Sequence, residues 1–150
     1  MDRFLMRLSI GYPEESEEIR LAKNFLEGKA VEQIQPVCKA EDILLMQKEV
    51  EKVLVSDSVI GYIRKIVELT RNDDRFVCGA SPRAMLALVR TSQAKAYLGG
   101  RDFVKPDDVK AVTVNVLHHR LSLKSEARIQ GNDVDRILRD LILRAKVPLE

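Results

Sequence analysis

Cysteine is scarce in this 150-residue sequence: Cys38 and Cys78 are the only two, and no CxxC occurs. That excludes a disulfide framework and a cysteine-based zinc cluster, and leaves two thiols expected to be buried or inert in a reducing cytoplasm. Long apolar runs are missing too, since no window approaches the about 18 apolar residues that cross a bilayer as a helix. The opening Met1-Asp2-Arg3-Phe4-Leu5-Met6-Arg7 lacks the charged-then-apolar layout of a signal peptide. Nor is there a marked excess of one charge. Lys+Arg 25 against Asp+Glu 23 leaves +2, with a pI near 8.6, whereas proteins held to nucleic acid by phosphate contacts carry a larger or more concentrated surplus. Membrane and nucleic acid are therefore not expected as partners.

The motifs of catalysis are also missing. No glycine starts a GxxxxGK[ST] phosphate loop, no GxGxxG follows a strand, and neither HExxH nor GxSxG occurs. His118 and His119 are adjacent, so on a helix they diverge by roughly 100° and do not easily share one metal. A half-buried or surface histidine pair is the expectation, and no metal site is assigned.

What is present describes a soluble globular chain: 45% hydrophobic and 32% charged residues, in a length that suits one domain with its own core. Apolar spacing predicts helix almost throughout. Val59, Tyr62, Ile63, Ile66, Val67 and Thr70 share one helical face behind a capping Ser56. Val134, Ile137, Leu138, Leu141, Ile142 and Ala145 repeat the pattern behind Asn132 or Asp133. Ile43, Met46, Gln47, Val50 and Leu54 make a third stripe, and Val109, Val112, Thr113 and Val116 a fourth, with Pro106 in its first turn. Glu14 to Leu26 enters through Pro13 with carboxylates at its positive end and leaves near Gly28; Ser81 to about Leu98 ends at Gly99-Gly100. Strand signal is limited to Val53-Leu54-Val55, Phe103-Val104 and Arg120 to Ile129, the last a candidate hairpin or mobile segment. The expected class is mainly α, a bundle of about six helices with minor short strands.

Charge is arranged locally. Glu14, Glu15, Glu17 and Glu18 form an acidic cluster, while Arg64, Lys65, Arg71, Arg75, Arg83 and Arg90 thicken the middle with positive charge, most of it expected on solvated helix faces. One stretch stands apart: Gly79-Ala80-Ser81-Pro82-Arg83. Ser81 is a good N-cap and Pro82 suits the first helical position, which places Arg83 in the first turn. A guanidinium beside the positive end of the macrodipole is unfavourable unless an anion is near. An oxyanion such as phosphate would be held there by dipole and fork together. The other reading is an ordinary capped helix whose arginine points into water. On spacing alone, the ordinary capped helix is the favoured reading.

The order of the pieces carries more than any single one. The chain runs from Asp2-Arg3-Phe4-Leu5 through Gly11-Tyr12-Pro13 into an acidic helix, then Tyr62-Ile63 with Thr70-Arg71, then Gly79-Ala80-Ser81-Pro82-Arg83. Gly100-Arg101-Asp102-Phe103-Val104, Pro106-Asp107-Asp108-Val109 and Val116-Leu117-His118-His119-Arg120-Leu121 follow. This series resembles the C-terminal part of a MoxR-family AAA+ ATPase over nearly its whole length. The resemblance implies a fragment: residues 1–13 would be the last strand of an AAA+ core with its linker, and residues 14–150 the helical lid. The absent phosphate loop is then expected, because it belongs to the N-terminal core. Whether Met1 and Leu149-Glu150 are native is left open.

By the same resemblance Arg83 corresponds to the sensor-2 arginine, reaching the γ-phosphate of ATP held by its own core. Arg3 matches an arginine thought to act as a finger toward a neighbouring subunit's nucleotide. Gly79, Ala80, Ser81 and Pro82, with Tyr12 and Pro13, would line the nucleotide. The implied cofactor is ATP with Mg²⁺ in the complete protein, with none tightly bound to this fragment, which should be inactive alone. The implied partners are the N-terminal core, neighbouring subunits of a ring expected to be a hexamer, and a von Willebrand factor A domain protein, in chaperone-like work. The client is not identified by these residues. A competing reading, a free-standing helical nucleic-acid-binding or adaptor module, would need a recognition helix rich in base-reading side chains. Ala84, Met85, Leu86, Ala87, Leu88 and Val89 suit burial instead.

Overall fold

A computed structural model describes residues 3–28 and 35–147. Met1, Asp2 and the terminal Leu149-Glu150 lie outside the described residues. Seven α-helices follow in order: α1 (Glu15–Leu26), α2 (Ala40–Lys52), α3 (Asp57–Arg71), α4 (Pro82–Leu98), α5 (Pro106–Leu117), α6 (Ser125–Ile129) and α7 (Val134–Arg144), with a 3₁₀ turn at His118–Arg120 after α5. The starts follow from local chemistry. Ser56 accepts from the Val59 amide at 3.4 Å, Ser81 from the Ala84 amide at 3.2 Å, and Asp133 from those of Asp135 and Arg136, each satisfying an otherwise orphaned first-turn donor. Pro106 stands in the first turn of α5.

The α3 stripe read from the sequence is the α3 core face: Val59, Tyr62, Ile63, Ile66, Val67 and Thr70 are all buried. Ile137, Leu138 and Leu141 of α7 close over it, and α4 and α5 pack together as the largest helix pair. Two isolated bridges are the only β-type pairings among the described residues. Leu54 pairs in parallel with Phe103, and Phe76 antiparallel with Leu123. The second ties the loop before α4 to the segment after α5, so the N-terminus of α4 and the C-terminus of α5 share one end of the bundle. Gly100 turns the chain between these helices with φ +69, a conformation that glycine adopts without steric cost.

Three expectations change. The stretch Arg120 to Ile129 is no hairpin. Leu123 is buried at its bridge, the Lys124 amide donates to Arg75 O at 2.9 Å, and the chain then coils into α6 around buried Ala127. Both cysteines are exposed, because Cys38 precedes α2 in an open stretch and Cys78 lies in the loop between α3 and α4. The α2 stripe forms its helix, but no α2 residue is buried. Ile43 and Met46 face an open apolar groove of about 680 Å³ shared with Leu5, Leu8 and α4.

Candidate functional site

The N-terminus of α4 is set by the helix before it. Thr70, fully buried at the end of α3, donates from Oγ1 to Val67 O at 2.7 Å and accepts the Ala80 amide at 2.9 Å. Arg71 completes the grip, its Nε–H donating to Ala80 O at 2.9 Å. Gly79 lies flat against this helix end. A Cβ on it would stand 2.4 Å from Arg71 Cα and 2.6 Å from Arg71 N, well inside van der Waals contact with backbone. The glycine is therefore explained by packing of the loop, and Ala80 by the two hydrogen bonds that bracket it while its side chain is buried. At the start of the same loop Asp73 holds Arg75 through Nε and Nη2 at 2.8 and 2.6 Å. That hydrogen bonding keeps the Asp73 carboxyl below its ordinary range despite partial burial.

On this platform Ser81 caps α4, Pro82 opens it, and Arg83 occupies the first turn, exposed and making no hydrogen bond or ion pair among the described residues. No acidic residue lies in that turn. The other six helices each carry at least one there, as the dipole favours. Pro82 has no N–H, and the Ala84 and Met85 amides are bonded to Ser81, so the head of α4 offers an anion the Arg83 amide and guanidinium at the positive end of the helix dipole.

Arg3 lies elsewhere on the chain, exposed, on an N-terminal strap held along the C-terminal end of α5. The Arg7 amide donates to Asn115 O at 2.8 Å and Asn115 Nδ2 returns a bond to Arg7 O at 3.0 Å. His119 Nε2–H donates to Phe4 O at 3.0 Å, and Arg120 Nη2 donates to Phe4 O and Leu5 O. The histidine pair therefore splits its work. His118 meets Asp135 of α7 through Nδ1, and His119 meets the strap. Tyr12 and Pro13 are exposed, Tyr12 at 96%, and no hydrogen bond joins them to residues 79–83 among the described residues. Five of the eight expected site residues, Gly79 to Arg83, lie together, while Arg3, Tyr12 and Pro13 stand apart from them on the N-terminal segment. The strap clamp of Asn115, His119 and Arg120 was not foreseen; the polar triplet after an apolar helix was its only trace. Among the described residues no group of three or more His, Cys, Asp or Glu is placed to hold a metal ion, and no helix is long and apolar enough to cross a membrane.

The all-α fold agrees with what the sequence matches. Residues 68–141, from the end of α3 into α7, match the AAA lid domain family. The chain is homologous to the C-terminal part of MoxR-family proteins. It is 37% identical over 150 residues to the uncharacterized protein YeaC of Bacillus subtilis, covering 100% of this chain and 47% of that protein. Chaperone MoxR1 of Mycobacterium tuberculosis is 31% identical over 135 residues, covering 84% of this chain and 35% of MoxR1. A crystal structure from Cytophaga hutchinsonii, of a protein whose ATPase activity is inferred, superposes with a TM-score of 0.86 at 30% identity, covering 99% of this chain and 48% of that one. The chain spans about half the length, or less, of these relatives.

Proposed function

We propose that this chain serves as the lid of a MoxR-type AAA+ ATPase, with residues 1–13 ending a nucleotide-binding core and residues 14–150 forming the lid. The observation that carries the reading is Arg83: a permanently charged fork at a helix N-terminus, without a partner among the described residues, on a domain homologous to AAA lids. The residues suit a triphosphate. The Arg83 amide and guanidinium would contact the γ-phosphate, while Ser81 and Pro82 fix the helix entrance that aims them. ATP supplies the phosphoryl group for transfer, and Mg²⁺ is assigned to the carboxylates of the core. Arg3, exposed on its strap, would reach the nucleotide of a neighbouring subunit, and the exposed Tyr12 ring would stand beside the adenine. Contact with the γ-phosphate favours a closed lid and hydrolysis relaxes it, a closure driven by differential contacts in two states. In a ring this motion would pass to the next subunit and to a partner protein, with a von Willebrand factor A domain protein as the expected collaborator.

The test is ATP hydrolysis by the complete polypeptide that carries this chain. Arg83→Ala should lower kcat by about tenfold or more, since groups that neutralise developing phosphoryl charge contribute at least this much. Thermal unfolding should be nearly unchanged, because the side chain is exposed and has no partner among the described residues. Arg3→Ala should impair hydrolysis and be rescued in mixed rings that retain an intact neighbour. Wild-type rates in Arg83→Ala would refute the sensor role.

A further inference from the structure

The geometry points to Asn115, His119 and Arg120 as positioning residues that clamp the segment carrying Arg3 to the lid, linking the placement of Arg3 to the orientation of α4 and Arg83. The inference rests on the roles proposed above for those two arginines. The clamp is made of five hydrogen bonds across 108 or more residues of sequence, and every acceptor or donor on the strap is backbone: Phe4 O, Leu5 O, and the amide and carbonyl of Arg7. Backbone capture fixes the path of the strap whatever its side chains are, and leaves the Arg3 side chain free to project. Phe4 O, the carbonyl next after Arg3, takes two donors at once, so the grip is tightest beside the residue to be aimed. A carbonyl can only accept, so His119 must carry its hydrogen on Nε2. Its Nδ1 is buried with no partner among the described residues, which leaves this ring no second polar duty.

The base of the clamp is rigid. His118 ties the 3₁₀ turn to Asp135 of α7, and Met6 of the strap packs on the core. The connection to α4 is direct, because α5 carries Asn115 and packs more extensively on α4 than any other helix pair does. The bridge from Phe76 to Leu123 joins the loop before Arg83 to the segment just after Arg120. A lid rotation set by the nucleotide at Arg83 would therefore carry the strap with it. Arg3 would be advanced or withdrawn at the neighbouring subunit without a separate switch.

Hydrogen exchange on this chain tests the clamp without reference to ATP. His119→Ala and Arg120→Ala should each loosen the strap and raise exchange at the Arg7 amide, the strap N–H bonded to Asn115 O, by about tenfold, the scale of one lost hydrogen bond, with α3 and α4 amides unchanged. His119→Gln, whose amide nitrogen donates from a comparable reach, should keep the protection. Unchanged exchange at the Arg7 amide in both alanine variants would overturn the clamp. In the complete polypeptide, Arg120→Ala should lower kcat about tenfold while the KM for ATP is retained, and adding Arg3→Ala should cost little more, because both remove one contact. Losses that multiply would overturn the link to Arg3. Wild-type hydrolysis in Arg3→Ala alone would instead refute the finger role, and exchange would still decide the clamp.

Discussion

Gly79→Ala should damage this protein in the absence of any nucleotide. The added methyl would stand 2.4 Å from Arg71 Cα, 2.5 Å from Arg71 Cγ and 2.6 Å from Arg71 N. Two of these three atoms are backbone in the last turn of α3, which cannot yield by changing rotamer. Overpacking of this kind costs about 1–3 kcal/mol. Relief by lifting the loop is no cheaper, since it strips the buried Ala80 amide of Thr70 Oγ1 and leaves a donor unsatisfied at about 1–3 kcal/mol. The two routes are alternatives, so the expected loss is about 2–3 kcal/mol, which for a chain of this size lowers Tm by about 4–12 °C. Gly61→Ala is the matched control. Gly61 is exposed within α3, nothing lies within 4 Å of its would-be Cβ, and alanine should stabilise by about 0.5–1 kcal/mol. Circular dichroism during thermal and urea unfolding reads both. Equal stability of Gly79→Ala and the wild type would refute the packing argument, and would return Gly79 to the residues whose smallness serves a ligand.

Three further outcomes use the same assays. Thr70→Val keeps the volume but removes the acceptor of the Ala80 amide, and should cost about 1–3 kcal/mol in urea unfolding. Tyr62→Phe should be neutral or stabilising by up to about 1 kcal/mol, because its hydroxyl is buried with no partner among the described residues and burial already pushes its pKa up. Asp108 sets an acid limit. Burial raises its pKa, but hydrogen bonds from Arg101 and the Lys105 amide, with the charges of Arg101 and Lys95, outweigh that and hold it below the ordinary 3.8. A carboxyl with a depressed folded pKa stabilises above its unfolded value and loses that contribution as pH falls through the folded one. Tm should therefore drop below about pH 4, and Asp108→Asn should be less stable at pH 7 and show a flatter acid limb.

What the sequence disclosed was local. The α3 and α7 stripes, the Ser56, Ser81 and Asp133 caps and Pro106 at its helix start depend on neighbours within one turn, and each is where the spacing puts it. What it concealed depends on contacts that spacing does not encode. Five residues of α6 are too few to show a period, and Leu123 is held by a bridge to Phe76, 47 positions away. The half-open α2 stripe has the pattern of a core helix, since periodicity reports a face and not what covers it. Buried Gln93, donating to Val53 O at 2.8 Å, reads as surface in an apolar helix until the partner carbonyl is known. At the site, Ser81, Pro82 and Arg83 were legible as a capped entrance with a misplaced charge. The reason for Gly79 was not, because a backbone-to-backbone approach leaves no trace in residue type beyond the glycine itself.

That misplaced charge yields the sharpest separation of stability from function. A cation in the first turn of an exposed helix is disfavoured by about 0.3–1 kcal/mol, and an anion there is favoured by a similar amount. Arg83 makes no ion pair or hydrogen bond among the described residues to offset this, while the six other α-helices each place at least one carboxylate in the first turn. Arg83→Glu should consequently stabilise this chain by about 0.5–1.5 kcal/mol, raising Tm by about 1–6 °C at low salt. The gain should shrink as ionic strength rises, because the site is exposed. In the complete polypeptide the same substitution would set a carboxylate against a triphosphate and should abolish ATP turnover, the pattern of a residue kept for its ligand at the expense of the fold. A destabilised or unchanged Arg83→Glu chain would mean that the arginine already has a stabilising role within the domain, and the case for an external anion at the head of α4 would fail with it.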